Sequence, residues 1–317
     1  MNDVQLIKYE TREDWLAARN LSVGASESAA IFGLAPEGRE SEYSLWAHKA
    51  GLVPAPPVSG EWIEWGNLLE EPIAQRYAQT SGDLLWKPPT PFCVIKHPRL
   101  PFMTATIDRW ILQSSKHQGE RGDLEIKNVG AFSPDWKEDG ETVVPLHIHA
   151  QVQHQLACTG FAFAVVAALI GGNRLETFEI ERDEDFITEL EARLSEFWQR
   201  VQTKTPPPVD GKPATLRALK ALHPDDNGKT IELDKEIAGW VARAERAKAD
   251  KKAAEVAEKE AENHIKAVLG PNTFGTLPDG RSVSYKTQER DGYTVQPTKF
   301  RTLKIHAANA AKKGKAA

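Results

Sequence analysis

Residues 103–129 read MTATIDRWILQSSKHQGERGDLEIKNV, which indicates two β-strands joined by a polar loop. The first candidate strand, Met103 to Leu112, is rich in β-branched residues and alternates apolar with polar positions. The second candidate, Asp123 to Val129, shows the same alternation. Because strands that follow each other along the chain are usually neighbours in space, we expect these two to pair across the loop.

Pairing of these strands brings acidic side chains together. Asp108 lies near the end of the first strand, and Glu125 and Lys127 share one face of the second. Two converging carboxylates and a backbone carbonyl, for which Ile126 is suitably placed, form an oxygen-rich site for Mg²⁺ or Mn²⁺. The Lys127 ammonium can orient a metal-bound water or help to deprotonate it, as phosphodiester hydrolysis requires. Taken alone, a Glu-x-Lys triplet is also common on a solvated strand face.

Other polar residues are candidates for the same site. Glu70, on a predicted helix, is a candidate third metal ligand or a ligand of a second ion. Gln151 and Gln153 lie on a later helix, where an amide can hold a water or a phosphate edge. The Arg19 guanidinium and the Ser26 hydroxyl, which lies in a turn of small residues, are groups that suit a phosphate. Each is equally compatible with an ordinary helix surface.

The remaining periodicity predicts an α/β core over residues 1–204. The predicted helices are Ser41–Gly51, Glu61–Thr80, His147–Thr159 and Asp185–Val201. The further predicted strands are Leu84–Trp86, Phe92–Ile95, Phe161–Gly171 and Leu175–Ile180. Trp62 and Trp65 recur at helical spacing and are expected in the core, with base stacking as the alternative. His154 and Cys158 are four positions apart, so a shared zinc ion is an alternative to plain core-edge positions.

Residues 205–317 are predicted to form a separate region, which begins with a proline-rich linker from Thr205 to Pro213. Asp234 to Leu269 is rich in Ala, Glu and Lys, and its thin apolar seam is close to a heptad repeat. This pattern predicts a helix on the order of 50 Å long that serves in packing or oligomerisation. Phe274 to Lys286 is expected to be a hairpin around a Pro-Asp-Gly turn, followed by a basic tail at residues 307–317.

The composition excludes several classes of protein. The chain has 317 residues with 40% apolar content, enough for a packed core, and only two cysteines, too few for a disulfide scaffold. No apolar run approaches the ~18 residues that a membrane span requires, and the polar N-terminus lacks a secretory signal, so we expect a cytoplasmic protein. The net charge of −5 excludes a generally basic coat for nucleic acid.

Six landmarks in order resemble the YqaJ-type viral recombinase and phage lambda exonuclease family, within the PD-(D/E)XK nuclease superfamily. The resemblance covers roughly residues 10–200. The landmarks are Arg19 seven positions before Ser26 in V-G-A-S-E, Trp65-Gly66-x-x-x-Glu70, Thr104-x-Thr106-x-Asp108, Leu124-Glu125-Ile126-Lys127, Ala150-Gln151-Val152-Gln153 and Ile180-Glu181-Arg182-Asp183-Glu184. One departure is Ile107, which stands where the superfamily has a proline.

The resemblance implies a restriction-endonuclease-like core with a mixed central sheet flanked by helices. It implies Mg²⁺-dependent degradation of one strand of linear double-stranded DNA from 5′ to 3′, which leaves 3′ overhangs for recombination by strand annealing. It also implies two ions, with Mn²⁺ able to substitute. The implied metal ligands are Asp108, Glu125, the Ile126 carbonyl and, near the second ion, Glu70, and the implied catalytic supports are Glu125, Lys127 and Gln151.

The same resemblance assigns Arg19, Ser26 and Thr106 to phosphate at the 5′ end of DNA, with Gln153 as a further DNA contact. The family's basic residue six positions after the catalytic lysine falls on Ser133, so Arg109 or Lys137 is the expected substitute. The implied assembly is a ring-shaped homo-oligomer, commonly a trimer, and the implied partner is a single-strand annealing protein. Two alternatives stay open: a site- or structure-selective endonuclease, and an inactive DNA-binding or scaffold module.

Overall fold

The computed structural model describes residues 4–55, 60–290, 292, 297 and 299–305, and it divides into two compact units, one ending at His223 and one beginning at Pro224. The helices of the first unit are α1 (Arg12–Asn20), α2 (Ser28–Ile31), α3 (Glu42–Lys49), α4 (Glu61–Ser81), α5 (Leu146–Thr159), α6 (Glu184–Thr203) and α7 (Pro213–Leu222). Its strands are β1 (Leu6–Lys8), β2 (Val23–Gly24), β3 (Leu84–Trp86), β4 (Cys93–Lys96), β5 (Met103–Ala105), β6 (Arg109–Gln113), β7 (Gly122–Val129), β8 (Lys137–Glu138), β9 (Glu141–Thr142), β10 (Phe163–Ile170) and β11 (Arg174–Glu181).

A five-stranded mixed sheet forms the centre of the first unit, in the order β11-β10-β7-β6-β3. Strands β7 and β10 are parallel, and every other neighbouring pair is antiparallel. On β7, Leu124 and Ile126 pack toward α4, whereas Val129 belongs to the core cluster that contains α5. The strand is therefore covered on both faces, and the predicted α/β class with a mixed central sheet between helices is confirmed.

The predicted strand Met103–Leu112 is two strands in different sheets. β5 pairs with β4 and β2 in a four-stranded sheet of order β1-β4-β5-β2, whereas β6 pairs with β7 and β3 in the central sheet. The chain changes sheets between Ala105 and Arg109, so Asp108 lies in the break and not within a strand. The alternating pattern continues across the break and gives no sign of the change of partner.

The expectation that Trp62 and Trp65 are core residues is wrong. Their exposed fractions are 57% and 50%. The buried residues of α4 are Ile73, Ala74 and Tyr77, all in its second half, so the first half of the helix extends beyond the core. The helical period identifies one face of α4 but not the length of helix over which that face is covered.

The first unit continues past residue 204, where the sequence suggested a boundary. Residues 205–212 have no regular structure, as expected for a linker, but the following helix α7 packs back onto α3. Thr215 is 1% exposed, and its hydroxyl lies 2.6 Å from that of Ser41. Burial of Ala214 and Ala218 on the same helix face explains why α7 joins the first unit.

The second unit contains the predicted long helix and hairpin. These are α8 (Lys235–Leu269), capped at its start by the Asp234 side chain, and the antiparallel strands β12 (Phe274–Thr276) and β13 (Ser282–Ser284). The basic tail at residues 307–317 lies outside the described residues. Among the residues that the structure does describe, no helix is both long and apolar enough to span a membrane.

Candidate active site

Asp108 is fixed against the strand that carries Glu125. Strands β6 and β7 pair with Arg109 opposite Leu124, and Asp108 directly precedes this pair. Its Oδ2 accepts a hydrogen bond of 2.8 Å from the backbone N–H of Ile126. The structure thus brings Asp108 beside the Glu125-Ile126-Lys127 segment, as the sequence predicts, although it does so from the break between sheets.

Glu125 is 4% exposed and is held by three side chains. Its Oε1 lies 2.5 Å from Nζ of Lys127 and accepts a hydrogen bond of 2.7 Å from Nε2 of Gln151. Its Oε2 accepts one of 2.6 Å from Nε2 of Gln155, whose same amide nitrogen donates to the Thr106 carbonyl at 3.0 Å. Carboxylates held by several charged or amide donors have fixed orientations, which is what a preorganised metal ligand needs.

The charges in this cluster shift the titration of two groups. Burial and the neighbouring Glu125 carboxylate raise the pKa of Asp108 to about 8. Burial alone would lower the pKa of Lys127, but the charge and hydrogen bond of Glu125, together with Asp108, outweigh it, so the pKa is raised. Lys127 is therefore an ammonium at neutral pH. Asp108 keeps its proton at neutral pH in the metal-free protein, which means that the Lys127 charge does not offset burial and the Glu125 carboxylate.

The donor set fits a hard divalent cation. It comprises two carboxylates, from Asp108 and Glu125, and the nearby Ile126 carbonyl, and Mg²⁺ is usually bound by one or two carboxylates plus waters. Within the part of the chain that the structure describes, no three His, Cys, Asp or Glu side chains are grouped closely enough to hold one ion together. Glu70 is near enough for its charge to contribute, after burial and Glu125, to the raised pKa of Asp108.

Arg109 and Gln153 are not positioned as DNA contacts. Arg109 is buried, with Nη1 lying 2.5 Å from Oε1 of Glu70 and Nη2 lying 2.8 Å from Oε2 of Glu71. Gln153 is fully buried, and its amide bonds backbone atoms of the β11–α6 connection at 2.7 Å and 3.0 Å. Arg109 Nη1 also donates to the Asp108 carbonyl, so its guanidinium is fully used within the fold, and Gln153 lies about 200° around α5 from Gln151.

A small cavity of about 40 Å³ brings the other predicted phosphate ligands together. Its lining includes Arg19, Ser26, Thr106 and Gln151, with Gly24, Ala25, Val94, Thr104 and Ala105. Neither Arg109 nor Lys137 is among these residues, so the cavity has Arg19 as its cation. Because Gln151 also donates to Glu125, this residue joins the cavity to the carboxylate pair.

The turn that carries Ser26 is anchored by a buried lysine that the sequence did not point out. Lys49 is 8% exposed; its Nζ lies 2.9 Å from Oε1 of Glu27 and donates to the Arg19 carbonyl at 2.8 Å. The other oxygen of Glu27 accepts a hydrogen bond of 2.8 Å from the Gly24 N–H. Lys49 therefore connects the end of α1 with the turn, and so positions both Arg19 and Ser26.

Other residues near the site also escaped the sequence reasoning. Gln155 lies four positions after Gln151 on the same helix face, which is a signal that the spacing does carry. Arg39, in a loop, stacks on the exposed Trp62 with its guanidinium carbon 4.7 Å from the ring centre. Burial lowers the pKa of His147, and the nearby charges of Lys127 and Arg39 lower it further, although Asp135 opposes them. No local pattern marks Arg39.

Two buried groups beside the core are neutral. Asp123 is fully buried, both of its carboxylate oxygens have no hydrogen-bond partner among the described residues, and burial raises its pKa well above the usual range. His154 is also fully buried; its Nδ1 lies 2.6 Å from the Ser28 hydroxyl, and burial lowers its pKa to about 3. This contact places His154 inside the core, deeper than the core-edge position expected from the sequence.

Comparison with known proteins agrees with the predicted resemblance. The profile of the YqaJ-like viral recombinase domain matches residues 14–162, which include every residue of the candidate site. The uncharacterized protein YqaJ of Bacillus subtilis (strain 168) is 32% identical over 227 residues, covering 70% of this chain and 67% of that protein. The profile match thus spans both the carboxylate–lysine arrangement and the cavity beside it.

Solved structures of exonucleases also match. An alkaline exonuclease from Laribacter hongkongensis is 22% identical, covers 61% of this chain and 93% of its own, and has a TM-score of 0.46. A phage-related exonuclease from Haemophilus somnus 129PT is 15% identical, covers 58% of this chain and 96% of its own, and has a TM-score of 0.40.

Proposed function

Because this chain belongs to the YqaJ-like viral recombinase domain family, we propose that it is a Mg²⁺-dependent exonuclease acting on the ends of double-stranded DNA. It removes one strand from 5′ to 3′ and leaves 3′ overhangs for strand annealing. The observation that carries the proposal is the position of Gln151, which contacts Glu125 and also lines the cavity with Arg19 and Ser26. An anion site joined to a metal-binding pair suits an enzyme that holds a terminal phosphate while it cuts nearby.

The metal would be held by Asp108, Glu125 and the Ile126 carbonyl, and Glu70 would lie near a second ion. When bound, Mg²⁺ polarises the scissile phosphate and lowers the pKa of the attacking water. Mn²⁺ is expected to substitute, because it accepts the same oxygen ligands. The cation would also replace the proton that Asp108 holds in the metal-free protein, where burial and Glu125 raise its pKa.

The chain's own residues bind and orient the substrate. Lys127 stays protonated and supplies a fixed positive charge beside the phosphate, while Gln151 holds Glu125 in place. Arg19 and Ser26 bind the terminal phosphate in the cavity, with Thr106 as a further contact. The Arg19 guanidinium stacks on the Trp15 ring at 4.8 Å, which limits its rotation.

The test uses a linear duplex labelled at one 5′ end, with and without a 5′ phosphate, in Mg²⁺ or in EDTA. We expect release of nucleotides in Mg²⁺ only, faster from the phosphorylated end, and no cutting of covalently closed circular DNA. Cleavage of the closed circle would favour the endonuclease alternative. DNA binding without any cleavage in Mg²⁺ or Mn²⁺ would favour the inactive scaffold.

A matched pair of variants separates phosphate recognition from general charge. Arg19→Gln and Arg12→Gln each remove one positive charge from α1, two turns apart, and Arg12 is exposed and lies outside the cavity. We expect Arg19→Gln to abolish the preference for a 5′ phosphate, and Arg12→Gln to retain it. An equal loss in both variants would contradict a terminal-phosphate site.

The assembly and partner implied by the family remain part of the proposal. A ring-shaped trimer would enclose the duplex and allow many nucleotides to be removed in one encounter. A single-strand annealing protein would take up the product strand. Light scattering of the purified chain tests the first point, with a mass that is a multiple of three chains expected. Strand annealing in a coupled reaction tests the second.

A further inference from the structure

The long helix α8 carries most of its exposed large apolar side chains along one seam, with Val256 as the exception on the opposite face. Its 35 residues include one buried side chain, Leu269, which lies against Gly275 of the hairpin. The large apolar residues Ile237, Trp240, Ile265 and Val268 are exposed, Val268 at 87%. Exposed large apolar residues aligned on one helix face indicate a surface that another helix covers.

The seam follows a heptad repeat along the whole of α8. The a positions are Ile237, Ala244, Lys251, Glu258 and Ile265, and the d positions are Trp240, Ala247, Ala254, Ala261 and Val268. Large residues occupy both ends of the seam, and small or charged residues occupy its middle. This order decides how two copies of the helix can pair.

A parallel pairing of identical helices is unfavourable. In register, it would place Lys251 against Lys251 and Glu258 against Glu258 at the centre of the interface. Like charges buried at a seam cost more than an exposed like-charge pair, because they lose solvent as well as repel. A three-fold parallel bundle has the same defect with three charges in each layer.

An antiparallel pairing removes this conflict. The layers then join Ile237 to Val268, Trp240 to Ile265, Ala244 to Ala261, Ala247 to Glu258 and Lys251 to Ala254, the second residue of each pair belonging to the second copy. Large residues meet large residues, and the charged residues meet alanines whose small side chains leave room for them to reach solvent.

The distribution of charge along α8 favours the same arrangement. Residues 235–252 contain six basic and three acidic residues, whereas residues 253–269 contain two basic and four acidic residues. Antiparallel helices therefore place a positive half against a negative half at both ends. Lys248 and Glu255 flank the seam at e positions, where they pair across antiparallel helices.

We propose that α8 is a self-association arm that binds α8 of a second copy of this chain as an antiparallel two-stranded coiled coil. The arm lies in the second compact unit, outside the residues of the candidate active site. The proposal therefore stands whether or not the chain is a nuclease. In this arrangement the α8 contact joins two copies, and it is separate from any three-fold contact that would close a ring.

Cysteine cross-linking of the full chain tests the arrangement. Ala244 of one copy faces Ala261 of the other, and on a single helix these positions are about 25 Å apart, too far for a disulfide. We expect Ala244→Cys alone and Ala261→Cys alone to give no cross-linked dimer under mild oxidation. The double variant is expected to convert most of the chain to a disulfide-linked dimer.

The control uses the opposite face of the same helix. Ala242 and Asn263 occupy f positions, at matching heights in the antiparallel register, and the double variant Ala242→Cys with Asn263→Cys is expected to stay uncross-linked. The native Cys93 and Cys158 are buried, so the unmodified chain gives the baseline. Cross-linking of Ala244→Cys alone, or none in the Ala244/Ala261 double variant, would overturn the proposal.

Discussion

The Asp108 carboxylate accepts a hydrogen bond from the backbone N–H of Ile126, at 2.8 Å from Oδ2. One carboxylate of the candidate metal site is therefore positioned by the main chain of the strand that supplies the other, Glu125. A side chain bonded to the backbone of a central strand has little freedom to move. This arrangement preorganises the pair before a metal ion arrives, at the cost of holding two acids together beside the Lys127 ammonium alone.

Replacing Asp108 by Asn should inactivate the nuclease and stabilise the metal-free protein. The pKa of Asp108 is raised from 3.8 to about 8, so the folded state binds this proton more tightly than the unfolded state. Between about pH 4 and pH 8 this group accordingly makes the wild-type protein lose stability as pH rises, and the Asn variant lacks that contribution. At pH 8 in EDTA, we expect Asp108→Asn to increase the free energy of unfolding by about 1–3 kcal/mol.

Thermal denaturation at pH 5 and pH 8 in EDTA tests how the stability difference between Asp108→Asn and the wild-type protein changes with pH. The advantage of Asp108→Asn should be larger at pH 8 than at pH 5. An advantage that does not change with pH would assign the effect to packing instead of titration.

Metal affinity should rise with pH through about pH 8. The proton on Asp108 competes with the cation, so binding releases it. Isothermal titration of Mn²⁺ between pH 6 and pH 9, in buffers of different ionisation enthalpy, measures both the affinity and the protons released. We expect close to one proton per site at pH 6.5 and far fewer at pH 9. Affinity that is constant over this range would show that Asp108 is not a ligand.

Gln155→Met should reduce activity, whereas Gln153→Met should reduce only stability. Both glutamines are fully buried on α5, but Gln155 holds Glu125 and Gln153 holds the β11–α6 connection. Loss of an outer-sphere partner typically costs about 10–100-fold in metal affinity or activity. The measurement is nuclease rate per folded molecule, with the folded fraction taken from denaturation curves. Equal rates for the two variants would show that Gln155 does not position Glu125 for catalysis.

Arg109→Met should destabilise the fold without weakening phosphate contacts. Arg109 is buried between Glu70 and Glu71, so its loss takes the cation away from Glu70 while Glu71 keeps Lys87, and we expect a cost of about 2 kcal/mol. The salt dependence of DNA binding separates this role from a DNA contact. Its logarithmic slope should fall by about 1 for Arg19→Gln and stay unchanged for Arg109→Met.

The central strand and its chemistry were predictable because local pattern and tertiary role agree there. β7 alternates in sequence and is covered on both faces in the fold, so Glu125 and Lys127 stand out against an apolar background. The helix α5 likewise shows Gln151 on the face that meets this strand. The order of the six motifs along the chain then indicated the family and the candidate phosphate ligands Arg19 and Ser26.

What escaped prediction depends on contacts between distant segments. The break at residues 106–108 arises because β5 and β6 pair with strands of different sheets. No residue type between Met103 and Leu112 indicates this change of partner. Burial of Arg109 is decided by Glu70 and Glu71 on a helix far away in sequence. The same holds for the buried face of α7, whose Thr215 meets Ser41, and for the uncovered first half of α4.

The change of sheets between Ala105 and Arg109 has a mechanical consequence under the proposed function. Thr106 lines the anion cavity, and Asp108, two residues later, belongs to the carboxylate pair. The distance between the cavity that binds the terminal phosphate and the carboxylate pair that cuts the strand is thus set by a short segment of main chain. One end of this segment is held by the four-stranded sheet and the other by the central sheet. Such a ruler is built from peptide geometry, so side-chain substitutions around it should change how fast the enzyme cuts more readily than where it cuts.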